Sequence, residues 1–221
     1  MKLVTCDNDE KIIKYLTKTL QHHLDRGERV LWLVPGGSAI VVAARVSQAL
    51  KDEPNLANLT VGLTDERYGE PNHPNENWVQ IIQAGFGLPP QIFHRVLHGH
   101  PRPATTVEYE SFLYDSLDSA DYKIGLFGMG ADGHTAGIKP GSTGITEDVL
   151  AVDLASEDFE RVTMTTGAIK QLDETVVYAF GGSKFPQIKQ LLETELRPSD
   201  QPAQVHKQVA KSTLFSDYKG A

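Results

Sequence analysis

Apolar residues Ile12, Ile13, Leu16, Leu20 and Leu24 recur at helical spacing, which predicts an amphipathic opening helix over residues 8–24, ended by Gly27. The period then changes. Val30-Leu31-Trp32-Leu33-Val34 is an unbroken apolar run of strand length, followed by Pro35-Gly36-Gly37-Ser38 and an Ala/Val-rich helical stretch up to Leu50. Strand-like runs at 59–63, 92–97 and 122–127 alternate with helical patterns at 78–84 and 105–117. After a glycine-rich loop, 161–166 and 175–180 read as further strands, and 183–196 as a helix with Phe185, Ile188, Leu191 and Leu192 on its inner face. Residues 197–204, with two prolines, read as a loop before a short C-terminal helix. Tyr15, Phe112, Phe127 and Phe185 fall at core positions. The alternation predicts an α/β fold: an open, mostly parallel, Rossmann-like sheet flanked by helices on both faces, in one domain spanning 1–221.

The chain has 221 residues, with 21 Lys+Arg against 29 Asp+Glu and a formal charge of −8. Nucleic-acid binding needs clustered positive charge, so no nucleic-acid partner is expected. Hydrophobic residues at 40% and charged residues at 23% suffice for a buried core. The longest apolar runs, 30–34 and 39–44, fall far short of the roughly 20 residues that span a bilayer, so no membrane segment is expected. The opening MKLVTCDNDEK brings acidic residues before any apolar region, which argues against a secretory leader. A lone Cys6 forms no internal disulfide, and both features fit a cytoplasmic protein. Cys6 itself reads as a small packed residue.

In an open parallel sheet, ligands bind beyond the carboxyl ends of the strands, because the loops leaving those ends share one edge. Four such exits carry unusual residues and are expected to converge. Gly36, Gly37 and Ser38 precede a helix, where small residues let backbone N–H groups approach an anion at the positive end of the helix dipole. Thr64-Asp65-Glu66-Arg67 places a carboxylate and a guanidinium at a strand end, and the planar fork of Arg67 suits a phosphate or carboxylate. A surface salt bridge is the competing reading of that triplet. Gly128, Gly130 and Gly133 bracket Asp132 and His134 in a tight turn. A neutral imidazole there is well matched to taking a proton from water, with Asp132 or Asp65 holding its tautomer. Lys184, after Gly181-Gly182, could add a second cation for an anion; a solvated helix-start lysine is the alternative.

His22, His23, His94, His98 and His100 lack metal-ligand spacing, and no H-E-x-x-H, C-x-x-C or G-x-S-x-G pattern occurs. Neither a metal site nor a serine-nucleophile triad is expected.

Three blocks go further: LVPGGSAI at 33–40, LTDERYGEPNHPNENW at 63–78 and GLFGMGADGHTAGIKPG at 125–141. Through them the chain resembles the 6-phosphogluconolactonase family, within the wider superfamily that includes glucosamine-6-phosphate isomerase. Fainter similarity runs through 161–165, 181–184 and 202–203. The resemblance implies hydrolysis of 6-phosphogluconolactone to 6-phosphogluconate, a pentose phosphate pathway step, without a cofactor. It implies His134 as general base for water, Asp65 and Asp132 as supporting groups, and Gly37, Ser38, Arg67 and Lys184 as the phosphate site, with Gly36 and Gly130 in the substrate-binding turns. A small sugar phosphate is the expected partner; the number of subunits stays open. The chain departs from the family at Ala39-Ile40, where Thr-Pro is common, and so lacks one phosphate-binding hydroxyl. Lys139 stands where the isomerase branch has a glutamate used in acid–base chemistry, which favours hydrolysis over deamination. Isomerase or deaminase-like activity and non-catalytic sugar-phosphate binding remain the alternatives.

Overall fold

A computed structural model describes residues 1–155 and 158–220. Its first half runs β1 (Lys2–Thr5), α1 (Glu10–Asp25), β2 (Val30–Val34), α2 (Ile40–Ala49), β3 (Leu59–Leu63), β4 (Asp65–Arg67), α3 (Asn77–Gln83) and α4 (Arg102–Ser119). The second half runs β5 (Tyr122–Gly128), β6 (Ala151–Ala155), β7 (Glu160–Met164), α5 (Thr166–Lys170), β8 (Glu174–Tyr178), α6 (Phe185–Glu193) and β9 (Lys211–Ser216). Six strands form one sheet in the order β1-β9-β8-β5-β2-β3, and every neighbouring pair is parallel.

Every residue of β2 is buried, as expected for a central strand covered on both faces. Because successive side chains point to opposite sides, Trp32 meets Phe86 on one face. Its neighbour Leu33 lies with Gly62 beneath Phe112 of α4 on the other. Helix α1 packs its buried stripe, Ile12, Ile13, Leu16, Leu20 and Leu24, onto the Trp32 face, where Tyr15 lies 5.5 Å from the Phe215 ring. The α/β sheet with helices on both faces is thus as the periodicity predicts, and Phe127 is fully buried in the core while Tyr15, Phe112 and Phe185 pack at its margin.

Several expectations are corrected. Asp65–Arg67 is not a loop but β4, which pairs antiparallel with β7, and β7 with β6, in a separate three-stranded sheet. The 161–166 run therefore belongs to this second sheet and not to the parallel one. Residues 92–97 form no strand: Pro89 and Pro90 start a 3-10 turn that runs through Ile92, and beyond it a single bridge joins Phe93 to Val61. Their apolar side chains still fill the core, with Phe93, Val96 and Leu97 buried. Among the described residues no C-terminal α-helix follows the 197–204 segment; residues Pro202–Gln208 make a 3-10 turn, and Lys211–Ser216 enters the sheet between β1 and β8. No helix among the described residues is long and apolar enough to cross a membrane.

Candidate active site

The ends of β2, β3, β5 and β8 open on one edge, and a cavity of about 220 Å³ lies between their exits. Gly36, Gly37, Ser38, Asp65, Arg67, Gly130, His134 and Lys184 all line it, from exits that are far apart in sequence. Asp132 does not; it stands behind His134, on a second recess of about 280 Å³ that shares His134, Ala136 and Arg161 with the first.

Each exit is shaped by local constraints. After β2 the chain turns through Gly37, whose φ of +66° favours glycine, into a 3-10 turn at Gly37–Ala39 that runs directly into α2. Gly36 lies against Asn77 so closely that a Cβ would sit 2.3 Å from Asn77 Oδ1. Asn77 is itself buried, lines the cavity, and donates its Nδ2 to the Asp65 carbonyl at 2.9 Å.

The strand character of Asp65-Glu66-Arg67 explains why three adjacent charged residues have three fates. Alternation sends Asp65 and Arg67 to the cavity and Glu66 to the interior. Buried Glu66 accepts backbone N–H groups from Arg67 (2.7 Å), Asn77 (2.6 Å) and Trp78 (3.1 Å), closing the start of α3. Burial nonetheless pushes its carboxyl up to about 8, against those donors. Glu76, also buried, is gripped by both branches of Arg95 at 2.7 Å, with the Arg95 guanidinium 4.4 Å from the Trp78 ring. The 65–78 segment is therefore braced from behind.

The pairing of β4 with β7 sets Arg67 directly opposite Arg161, and both guanidiniums flank Phe159, at 4.7 and 5.5 Å from its ring. Like charges across a strand pair cost stability unless something between them carries opposite charge. Asp158 supplies part of it, bonding Arg161 at 2.7 and 3.0 Å and Lys139 at 3.2 Å. Among the described residues, the Arg67 guanidinium hydrogen-bonds the Asn75 carbonyl and Gln80 Oε1, at 3.3 and 3.4 Å. Arg161 is the cavity residue that sequence reasoning missed, along with Asn77. A signal existed, since the fainter similarity runs through 161–165, but nothing local ties that strand to Asp65-Glu66-Arg67.

The β5 exit is the tightest. Asp132 Oδ1 lies 2.6 Å from His134 Nδ1 and also accepts the His134 backbone N–H at 3.1 Å. Gly130 N donates to the His134 carbonyl and Gly133 N to Gly130, closing the loop on itself. Gly130 leaves no room for a side chain: a Cβ would lie 2.1 Å from His134 Nδ1. Burial raises the Asp132 carboxyl, but the His134 amide and ring outweigh it and hold it below its ordinary value. Of the two carboxylates that could orient the imidazole, Asp132 makes the bond. Asp65 instead accepts from Thr64 Oγ1 at 3.1 Å, and burial raises its carboxyl despite Arg161, Thr64, His134 and Arg67 nearby. At the β8 exit, Gly181 with φ +101° leads to Lys184, whose ammonium burial disfavours. Arg67, Arg161 and Lys184 against Asp65 leave the cavity positive, although the chain as a whole is acidic.

Among the described residues no group of His, Cys, Asp and Glu side chains is arranged to hold a metal.

The family model for glucosamine-6-phosphate isomerases/6-phosphogluconolactonase matches residues 8–215. The chain belongs to this family. A 6-phosphogluconolactonase from Haemophilus influenzae is 26% identical over 155 residues, spanning 67% of this chain and 66% of that protein, just under two thirds of its length. A glucosamine-6-phosphate deaminase from Lacticaseibacillus paracasei is 26% identical over 204 residues, spanning 85% of this chain and 84% of that protein. In fold, the chain is similar to the crystal structure of a 6-phosphogluconolactonase from Thermotoga maritima, with a TM-score of 0.80 at 18% identity over 97% of this chain and 98% of that one. A monomeric glucosamine-6-phosphate deaminase is as similar, with a TM-score of 0.80 at 20% identity over 98% and 97%. Both branches of the family thus share the parallel sheet and its edge of exits.

Proposed function

We propose that this chain hydrolyses a sugar-phosphate lactone, with 6-phosphogluconolactone as substrate and 6-phosphogluconate as product, and so acts in the cytosolic pentose phosphate pathway. The observation that carries the reading is one imidazole, oriented by Asp132 at 2.6 Å, on the wall of a cavity that also holds Arg67, Arg161 and Lys184. With Nδ1–H donating to Asp132, Nε2 is the nitrogen left to act as base. The substrate phosphate, a dianion, neutralises the facing guanidiniums and pairs with the Lys184 ammonium, while Gly37 and Ser38 offer donors at the start of α2.

The chemistry then follows. His134 Nε2 takes a proton from water as its oxygen bonds to the lactone carbonyl carbon, and nearby N–H groups stabilise the oxyanion. The carbon–ring oxygen bond breaks, and His134 returns the proton to that oxygen, opening the ring to the free acid. No group beyond the chain and water enters this scheme. Asp65 shapes the electrostatics beside the imidazole.

A second reading rests on the deaminase relative, which aligns over more of the chain than the lactonase does. Lys139, held by Asp158, stands against it, because the resemblance places an acid–base glutamate of the isomerase branch at this position. One assay pair separates them: hydrolysis of freshly generated 6-phosphogluconolactone above its spontaneous rate, and ammonia release from glucosamine 6-phosphate. The expected result is the first without the second, lost in His134→Ala while phosphate-analogue binding is kept. Ammonia release without lactone turnover would assign the chain to the other branch.

A further inference from the structure

His206 is fully buried, does not line the cavity, and has no part in the scheme above. Its ring packs 4.7 Å from Phe127 of β5, and its Nε2 lies 2.9 Å from Thr135 Oγ1. Thr135 Oγ1 in turn lies 3.4 Å from the Gly128 carbonyl. Gly128 is the last residue of β5 and Thr135 follows His134, so this chain of contacts joins the two feet of the loop that carries Asp132 and His134. The same 3-10 turn, Pro202–Gln208, also grips the loop from the other side of His134, where Ala203 N–H donates to the Gly133 carbonyl at 3.0 Å.

The hydrogen positions follow from what each atom can do. A carbonyl only accepts, so the single Thr135 hydroxyl proton serves Gly128, and His206 Nε2–H donates to Thr135. His206 Nδ1 then carries the lone pair and has no partner. The opposite tautomer would bury an unpaired N–H, the costlier arrangement. Burial alone pushes the imidazole down to about 3, which keeps the ring neutral over the working range.

We propose that His206 is a positioning residue: through the Thr135 hydroxyl it holds the Asp132–His134 loop so that His134 Nε2 stays aimed at the reacting carbon. The inference deepens the lactonase reading and rests on it. A ring displaced by about 1 Å is enough to slow a reaction roughly a hundredfold, while the phosphate site, on other exits, is left alone.

The test uses the full chain and four variants. Thr135→Val and His206→Phe remove the link with little change of volume; Thr135→Ser and His206→Gln retain a hydroxyl and an N–H donor. Thr135→Val and His206→Phe are expected to lower kcat about tenfold or more with KM within about twofold, the split for an interaction felt only in the transition state. Thr135→Ser and His206→Gln are expected to restore most of it. The double variant Thr135→Val/His206→Phe should lose no more than the worse single one, since both break one link. The His134 ring ¹⁵N resonances should move in the Val and Phe variants but not in the Ser and Gln ones. A folded Thr135→Val enzyme with kcat within twofold of wild type, or losses that multiply in the double variant, would overturn the proposal. If His206→Phe does not fold, Thr135→Val decides alone. If the wild type hydrolyses no lactone, the functional reading fails separately, and unmoved His134 resonances would then still defeat the positioning role.

Discussion

Replacing Gly130 by alanine should disable the site while leaving the fold intact. The new Cβ would stand 2.1 Å from His134 Nδ1, 2.3 Å from Cε1 and 2.5 Å from Asp132 Oδ1, where ordinary contacts begin at 3.4 Å. Backbone strain is not involved, because Gly130 is outside the left-handed region. The imidazole or the carboxylate must therefore give way by more than an ångström, and the 2.6 Å bond between them cannot survive that movement. A misplacement of about 1 Å at a reacting group costs roughly a hundredfold in rate, so kcat is expected to fall by about that factor. The His134 and Asp132 side chains are 40% and 49% accessible, so the displaced groups have solvent to move into and the thermal midpoint should barely change. The assay is acid release in a pH-stat from freshly generated 6-phosphogluconolactone, corrected for spontaneous hydrolysis, beside calorimetric binding of 6-phosphogluconate. A Gly130→Ala enzyme with kcat within threefold of wild type would refute the claim that the bond orients the catalytic ring.

Arg67→Ala should raise KM about ten- to a hundredfold with kcat less affected, since a charge-assisted phosphate contact contributes about 1.5–3 kcal/mol; steady-state kinetics decide, and an unchanged KM would move the phosphate elsewhere. Because burial lowers the Lys184 pKa, Lys184 gives up its proton at a lower pH than a solvated lysine, so KM should climb on the alkaline side. In Lys184→Met that alkaline rise should disappear from the pH–KM profile, at the expense of a higher KM near neutrality; identical alkaline limbs would contradict it. Burial pushes His206 down to about 3 and His94 to about 4, from an ordinary 6.5. The unfolded chain then binds protons that the folded chain refuses, so stability from these rings is complete above pH 6.5 and is lost as pH falls toward 4. Urea midpoints should accordingly drop less between pH 7 and 4.5 in His94→Phe/His206→Gln than in wild type, and parallel curves would rule the explanation out.

Legibility in the sequence followed the range of the interaction. Val30–Val34 announces itself because a strand covered on both faces is apolar at every position, and α1 because its buried stripe repeats within one element. The last strand, Lys211–Ser216, does not: its residues are K-S-T-L-F-S, and Ser212, Thr213 and Ser216 are buried because β1 and β8 pair with it on either side. Thr175 Oγ1 donates to Ser212 Oγ at 3.0 Å, so even a buried serine there is satisfied by a partner 37 residues away. Periodicity reads side chains against water, and β9 is hidden from water by neighbours that the local pattern does not contain. The 92–97 segment is the converse case, apolar enough for a strand but preceded by two prolines and left with one bridge.

The same distinction divides the site. Every residue that belongs to a strand exit was legible, because polarity of a parallel sheet forces those exits to one edge whatever the distance between them in sequence. Arg161 comes instead from a hairpin, and what brings it to the cavity is the register of β7 against β4, Arg67 opposite Arg161 and Asp65 opposite Thr163. That register also settles why Asp65-Glu66-Arg67 is more than a surface ion pair. A three-residue strand sends its first and third side chains one way and its second the other, so the triplet splits into two cavity groups and one interior brace on α3. The facing guanidiniums, with Asp158 bonding that of Arg161, set two like charges opposite each other across a strand pair, which by itself costs stability. On the proposed function, a dianion lying between Arg67 and Lys184 offsets that cost, and the sign of the cavity, more than any single residue in it, is what we propose selects a phosphorylated substrate.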